Sequence, residues 1–203
     1  MAGLREKQKE ERQRRILEAA RQQFRAANYR DVTVESIAEE AELSAMTVFN
    51  YYGSKGGLLL SLVAESDRHL ITKIDEILNT RFDDAKSAVT AFSLTVINHA
   101  FSYLDRRTWG HVLATSILEG DSTFGRGFAA LERQLKDLLT LLLEQLKERS
   151  LISVGCDCRT AATVAYNVHN ARFIECAADS GISRAEIEKL ITQDLGFVVD
   201  HIT

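Results

Sequence analysis

The chain of 203 residues contains no proline. Average usage would supply about 5% proline, or about ten residues in a chain of this length. Proline interrupts helix interiors and central strands, because its ring fixes φ and removes a backbone hydrogen-bond donor. The absence of proline therefore allows long uninterrupted helices. The spacing of the apolar residues decides whether such helices form.

Apolar residues recur at helical spacing along almost the whole chain. In the first helical segment Ile16, Leu17, Ala20 and Phe24 follow the i, i+3, i+4 pattern of an amphipathic helix. Breaks between such segments fall at N-capping residues and glycines. The pattern predicts helices over Glu10–Ala27, Val34–Ala41, Ala45–Tyr52, Lys55–Leu78, Ala85–Leu104, Arg106–Leu118, Phe124–Leu151, Arg159–Ala178 and Arg184–Ile202, the last two separated by Ser180-Gly-Ile-Ser.

The segments group into a head and a body. Three short helices form the head, a fourth helix joins them to the body, and five longer helices make up the body. We therefore predict an all-α fold, with a head over residues 1–54 and a body over residues 55–203.

Composition narrows the class of protein. With 45% hydrophobic and 27% charged residues the chain is not of the disordered type. No apolar run approaches the ~20 residues of a membrane span, and Met1–Lys7 is not followed by a hydrophobic segment of a secretory signal. Three cysteines do not make a disulfide framework. We expect a cytoplasmic protein without a membrane partner.

Charge is distributed unevenly along the chain. Residues 1–30 hold nine Lys and Arg against four Glu, a net charge of +5, whereas residues 58–203 carry a net charge of −5. A basic end on an acidic chain favours contact with a polyanion. The alternative is a solvated helix end, since Glu6, Glu10 and Glu11 lie among the basic residues.

The second and third helices are short and separated by a brief break, which is typical of a helix-turn-helix motif. Val48 and Tyr52 share one face of the third helix and are expected to pack inward on Ile37 and Phe24. The remaining side chains of that helix face outward, and exposed aromatics are costly unless something covers them. The residues predicted to bind DNA are Thr33, Ser44, Ala45, Met46, Thr47, Phe49, Asn50, Tyr51 and Lys55.

A DNA major groove suits this outward face. Thr47 and Asn50 can hydrogen-bond to base edges, and Ala45 or Met46 can contact thymine methyl groups. Tyr51, together with the start of the helix at Lys55, is expected to bind phosphate.

Several motifs then occur in order. They are Ile16-Leu-Glu-Ala-Ala with Phe24, Asn28-Tyr29, Val32-Thr-Val-Glu-Ser-Ile-Ala-Glu-Glu-Ala, and Leu43-Ser-Ala-Met-Thr-Val-Phe-Asn-Tyr-Tyr-Gly-Ser-Lys-Gly-Gly-Leu-Leu. In these motifs the sequence resembles the TetR family of bacterial transcription regulators. It departs from the family pattern at Glu42, where the turn glycine is usual, at Phe49, where tyrosine is common, and at Gly56-Gly57, where acidic residues are usual. The body resembles that family only in the number and length of its helices.

A ligand site is predicted in the body, where polar side chains interrupt apolar helices. Apolar walls with a few convergent polar groups are typical of a ligand pocket. The predicted ligand-binding residues are Phe92, His99, Trp109, His111, Phe128, Asn167, Asn170 and Arg172. The same polar residues would also be explained by hydrogen bonds within the core or by a subunit interface.

Catalytic and metal-binding patterns are not found in the sequence. It has no Gly-x-Ser-x-Gly, no Walker loop and no His-Glu-x-x-His, so we expect no enzyme, cofactor or metal. Cys156-Asp-Cys158 would supply only half of a metal site, and its cysteines are more simply explained as incidental loop residues. Cys176 is expected in the core.

The sequence therefore predicts a homodimeric repressor that pairs through its last two helices. It would bind a palindromic operator in double-stranded DNA and be released by a small-molecule effector. The alternatives are a transcriptional activator or architectural DNA binder without an effector, or a helical enzyme or protein–protein adaptor.

Overall fold

The computed structural model describes residues 2–178 and 181–203. Within these residues the chain forms nine α-helices and no strand, which confirms the predicted all-α class. The helices are α1 (Ala2–Ala26), α2 (Val34–Glu40), α3 (Ala45–Tyr52), α4 (Lys55–Leu78), α5 (Ala85–Tyr103), α6 (Arg106–Leu118), α7 (Thr123–Glu148), α8 (Cys158–Ala178) and α9 (Arg184–Asp200).

Across the described residues, none of the helices has the length and apolar character needed to cross a membrane.

The largest error in the predicted helix bounds is the start of α1, which begins at Ala2 and not at Glu10. Residues 3–12 are exposed, so this part of α1 has no apolar stripe for periodicity to detect. The predicted end of α7 also differs. The helix ends at Glu148 rather than Leu151, because Ser150 adopts φ 58° and the Leu151 amide donates to the Leu146 carbonyl at 2.9 Å. The predicted break at Ser180 begins outside the described residues.

The chain divides into two compact units. The first contains the residues up to Glu65 together with Arg107–Phe128, and the second contains Ser66–Arg106 and the residues from Ala129 onward. The predicted boundary at residue 54 stays a prediction. The core of the first unit combines the apolar faces of α1 to α3, the start of α4 and α6: Ile16, Ala20, Phe24, Ile37, Val48, Leu58, Leu62 and Val112.

In the second unit α9 packs against α5 and α8. Ile187, Ile191, Leu195 and Val199 of α9 are almost fully buried within the chain itself. Leu190 and Val198 of the same helix are half-buried. Pairing of two chains through α8 and α9 stays a prediction. The apolar side chains that α8 and α9 leave exposed are Val164, Ile174 and Phe197.

Candidate nucleic-acid interface and effector site

The helix-turn-helix begins with a capping box at α2. The Thr33 hydroxyl accepts a hydrogen bond from the Ser36 amide at 3.0 Å, and the Thr33 amide donates to Ser36 Oγ at 3.3 Å. The two side chains thus satisfy amides that the first helical turn leaves without partners. Thr33 is predicted from the sequence to bind DNA. In the structure its hydroxyl caps the start of α2.

The turn between α2 and α3 contains a residue in the left-handed region. Glu42 has φ 51°, at the position where the resemblance led us to expect glycine. A side chain in this region costs about 1 kcal/mol. Arg15 of α1 holds the turn, because its guanidinium donates to the Ala41 carbonyl and, at 2.9 Å, to Glu42 Oε2.

Helix α3 has one buried face and one exposed face, as the sequence predicts. Val48 is buried, and the Tyr52 hydroxyl donates to the Gln13 carbonyl of α1 at 3.4 Å. On the other face the side chain of Met46 is 68% exposed and that of Phe49 is 41% exposed. Asn50 is also exposed, whereas Ala45, Thr47 and Tyr51 are half-buried.

Ser44 fixes the first turn of α3. Its hydroxyl accepts from the Thr47 amide at 3.2 Å and lies 2.9 Å from Thr47 Oγ1. The two hydroxyls therefore form a preorganised pair of hydrogen-bonding groups at the start of the exposed face. Gly53, with φ 72°, ends the helix.

Lys55 at the start of α4 is directed into its own unit rather than outward. Its ammonium donates to the carbonyls of Tyr29 and Val32 at 2.7 and 2.8 Å and lies 4.4 Å from the centre of the Tyr29 ring. Burial lowers its pKa. In this arrangement the ammonium joins the segment before α2 to α4, and only the backbone at the start of α4 is left for the expected phosphate contact.

Gly57 explains part of the departure at Gly56-Gly57. A Cβ on Gly57 would lie 2.0 Å from the Tyr52 carbonyl oxygen, so the end of α3 and the start of α4 approach too closely for a side chain. Gly56 has only Ser54 Oγ nearby, at 3.7 Å. Ser54 in turn accepts from the Gly57 amide at 2.9 Å.

The basic residues of α1 fall into two groups. The exposed residues of the first group are Arg5, Lys7, Arg12 and Arg25. Lys9, Arg14, Arg15 and Arg21, in contrast, pair with Glu6, Glu11, Glu42 and Glu18. The first group is the one that remains available to a polyanion.

Three of the eight predicted ligand residues lie in the first unit. Trp109 of α6 and Phe128 of α7 are buried there. The His111 ring packs 5.2 Å from that of Tyr29, and the nearby Thr108 hydroxyl donates to the Phe24 carbonyl at 3.1 Å.

The other five lie in the second unit. Phe92 is buried, and His99 Nε2 lies 2.9 Å from the Ser66 carbonyl. Asn170 donates to Glu132 Oε1 at 3.3 Å. The two that remain are Asn167, which is exposed, and Arg172, which pairs with Asp194 and Glu175 at 2.7 Å each.

The pairing of Arg172 limits the interactions that it can offer to a ligand. An unpaired arginine in a pocket would favour a carboxylate, but this guanidinium already has two carboxylate partners within its own unit. His169, on the same helix, accepts or donates a 2.6 Å hydrogen bond with Ser93 Oγ, and burial lowers its pKa to about 4. Neither residue supplies a free positive charge.

Sequence reasoning missed two carboxyls in the second unit, Asp67 of α4 and Glu132 of α7. Both occupy positions where the helix pattern calls for an apolar residue. Asp67 lies between Val63 and Leu70, and Glu132 lies between Phe128 and Leu135, at spacings of four and three. All four flanking residues are buried. A carboxyl that replaces an apolar residue in a buried stripe was the signal that could have identified them.

Cys156 has a raised pKa, chiefly because of its burial. A raised pKa disfavours the thiolate that metals and oxidants require. No group of three or more His, Cys, Asp or Glu in the described part of the chain could hold a metal ion.

Residues 16–62 match the family model for bacterial regulatory proteins of the tetR family. A comparison with curated protein sequences gave no match. Among solved structures, the chain is similar to Thermus thermophilus FadR, a TetR-family transcriptional repressor in complex with lauroyl-CoA, with a TM-score of 0.73 and 20% identity over 94% of this chain and 95% of that chain.

Two further solved structures are similar over nearly their whole length. Bacillus subtilis FadR, in complex with stearoyl-CoA, matches with a TM-score of 0.71 and 18% identity over 93% of this chain and 98% of that chain. The fatty acid degradation regulator FadR from Bacillus halodurans matches with a TM-score of 0.69 and 18% identity over 93% and 94% of the two chains. At these identities the likeness establishes the fold.

Proposed function

We propose that this chain, which belongs to the TetR family through residues 16–62, represses transcription by occupying a DNA operator that a small-molecule effector makes it release. The observation that carries the proposal is the exposed face of α3. The face lies within the matched segment, its first turn is fixed by Ser44, and Met46, Phe49 and Asn50 are exposed on it.

In the proposed complex α3 enters the major groove. Asn50 and Thr47 hydrogen-bond to base edges, and Ala45 and Met46 contact thymine methyl groups. Tyr51, Phe49 and Ser44 contact the sugar–phosphate backbone, as do the backbone at Lys55 and the start of α2 at Thr33. Arg5, Lys7 and Arg12 add attraction to phosphate that carries no sequence information.

The proposal includes a homodimer, since a two-fold symmetric reader of DNA binds a palindrome. Support comes from the apolar side chains that α8 and α9 leave exposed. Val164 and Ile174 are 47% and 44% exposed, and Phe197 is 68% exposed. A second copy of the chain would cover these residues. A regulator of this kind acts on the chromosome, so the proposal places the chain in the cytoplasm.

We also propose that a small-molecule effector controls DNA binding by this chain. TetR-family regulators bind effectors such as acyl-CoA, and two of the similar FadR structures contain an acyl-CoA. The residues proposed to respond to an effector remain the eight predicted from the sequence, five of which lie in the second unit. An effector that prefers the DNA-free state weakens operator binding, and DNA weakens effector binding by the same factor.

Selection of bound duplexes from a random DNA pool tests the function directly. The expected product is a palindrome whose half-sites lie about 34–36 Å apart, one helical turn of DNA, or a multiple of that spacing. The logarithm of the binding constant for the selected site should fall linearly with the logarithm of salt concentration. Enrichment of no sequence above the starting pool would contradict sequence-specific binding.

A further inference from the structure

Helix α1 contacts the turn of the helix-turn-helix through Arg15. The Arg15 guanidinium donates to the Ala41 carbonyl and, at 2.9 Å, to Glu42 Oε2. The side chain of Arg15 is 33% exposed, whereas that of Glu42 is 86% exposed. An exposed ion pair alone contributes little to stability. This arginine also satisfies a backbone carbonyl at the end of α2, where the last carbonyls of a helix have no partner within it.

The turn itself has the hydrogen bonds of a Schellman motif. The Leu43 amide donates to the Ala38 carbonyl at 2.8 Å. The Glu42 amide donates to the Glu39 carbonyl at 2.9 Å. The left-handed residue of this motif is usually glycine, but here it is Glu42, with φ 51°. Because a side chain makes this conformation unfavourable, a contact from another helix helps to hold it, and Arg15 provides that contact.

The same turn determines where α3 begins. Ser44, the N-cap of α3, directly follows Leu43. At the other end of α3 the Tyr52 hydroxyl donates to the Gln13 carbonyl of α1 at 3.4 Å. Helix α1 therefore contacts the turn before α3 through Arg15 and the last residue of α3 through Gln13. Together the two contacts fix the direction of α3 relative to α1.

We propose that Arg15 is a positioning residue for operator reading, and that it acts through the turn at Glu42 rather than by contact with DNA. Without this contact the turn would hold α3 in the reading orientation in only a fraction of the molecules. The apparent affinity for DNA then falls by that fraction, and by the same factor for every sequence that α3 reads. The inference rests on the proposed function, because it gives Arg15 a part in the reading of DNA by α3.

The test compares Arg15→Gln with Arg14→Gln in the purified full-length chain. Arg14 is the matched control, since its guanidinium pairs with Glu11 on α1 itself and its side chain is 65% exposed. Both variants lose one positive charge at adjacent positions, so the long-range attraction to phosphate changes almost equally. Affinity is measured on the selected operator at several salt concentrations, and on operators with single base-pair changes.

We expect Arg15→Gln to bind the operator about tenfold more weakly than Arg14→Gln, as for the loss of a hydrogen bond to a charged group. The loss should be equal on the operator and on its single-base variants, and the dependence on salt should match that of Arg14→Gln. Glu42→Gly is the rescue, because glycine adopts a positive φ without steric cost. In a chain that carries Glu42→Gly, Arg15→Gln should weaken binding by less than about threefold, a coupling in the range expected for residues in contact.

Urea unfolding of each variant shows that it is folded under the conditions of the titration. Three results would overturn the inference: equal affinity of Arg15→Gln and Arg14→Gln, no rescue by Glu42→Gly, or a salt slope lower by about 0.9 in Arg15→Gln alone, which identifies a direct phosphate contact. In each of these the unaltered chain still binds its operator, so the proposed function stands. An unaltered chain that selects no operator contradicts the proposed function and the reading role of Arg15 together. The free energies of unfolding of the single and double variants then test the contact between Arg15 and the turn alone.

Discussion

At the residue scale, the most informative residues are those that occupy positions unfavourable for their side chains. Asp67 is a carboxyl in an apolar stripe, and Glu42 is a non-glycine residue with φ 51°. Arg15 compensates for Glu42 by bonding to the turn, whereas no described residue compensates for Asp67. A partly buried charge without a partner lowers stability when it is ionised.

Asp67→Asn should stabilise the chain at neutral pH and have little effect in acid. The folded-state pKa of about 6 lies above the ordinary value of 3.8, so the folded chain holds a proton that the unfolded chain releases between these values. The free energy of unfolding therefore falls as pH rises through that window, and the full penalty applies above pH 6. We expect a gain on the order of 2 kcal/mol at pH 8 that is absent near pH 4.

Urea unfolding of the variant and the unaltered chain at both pH values measures this difference, and Asp137→Asn serves as the exposed control. An equal effect of Asp67→Asn at the two pH values would mean that Asp67 is not held in an unfavourable charged state.

At the element scale, the helices were predictable because each carries a local signal. An apolar stripe identified all nine helices, and the caps at Thr33 and Ser44 followed from residue type. What the sequence could not supply were contacts between segments distant in the chain. The inward direction of Lys55 depends on carbonyls of residues 29 to 32, and the burial of α9 depends on α5 and α8.

The same limit applies to the candidate site. The exposed face of α3 was predictable from the side chains that one short helix can bury. The carboxyls of Asp67 and Glu132 were missed because charged residues on long helices usually face water. Burial raises the pKa of Tyr166, and the charges of Glu132 and Asp67 raise it further, an effect that depends on how distant helices pack.

The junction of α3 and α4 provides a test at this scale through its two adjacent glycines. Gly57→Ala places a methyl group 2.0 Å from the Tyr52 carbonyl and should destabilise the chain by about 1–3 kcal/mol, as overpacking does. Gly56→Ala meets no close atom and should be neutral, or stabilise by up to about 1 kcal/mol through the higher helix propensity of alanine. Thermal unfolding of both variants decides, and equal effects would contradict the close approach of α3 and α4.

At the scale of the whole molecule, the basic segment and the exposed apolar residues of α8 and α9 lie in different parts of the chain. The net charge is +5 over residues 1–30 and −5 over residues 58–203. The basic first segment is expected to attract a polyanion, and the exposed apolar residues of α8 and α9 are expected to be covered by a second copy of the chain.

Phe197→Glu should convert the proposed dimer into a monomer. Phe197 is 68% exposed, and a charge introduced at the centre of an interface typically costs about 2–4 kcal/mol of association, as a lost hot spot does. Leu118→Glu is the matched control, because Leu118 is 83% exposed but lies on α6. Sedimentation should show monomers only for Phe197→Glu. A monomeric unaltered chain, or a dimer in both variants, would refute pairing through α9.

Fluorescence anisotropy with the selected operator tests whether the exposed face of α3 reads DNA sequence. Asn50→Ala is compared with the unaltered chain on the operator and on operators with single base-pair changes, with Asn79→Ala at the exposed end of α4 as the control. We predict that Asn50→Ala costs about 1–3 kcal/mol on the operator and loses discrimination at one or two base positions only, while Asn79→Ala changes neither. Unchanged affinity and unchanged base preference in a folded Asn50→Ala would contradict the claim.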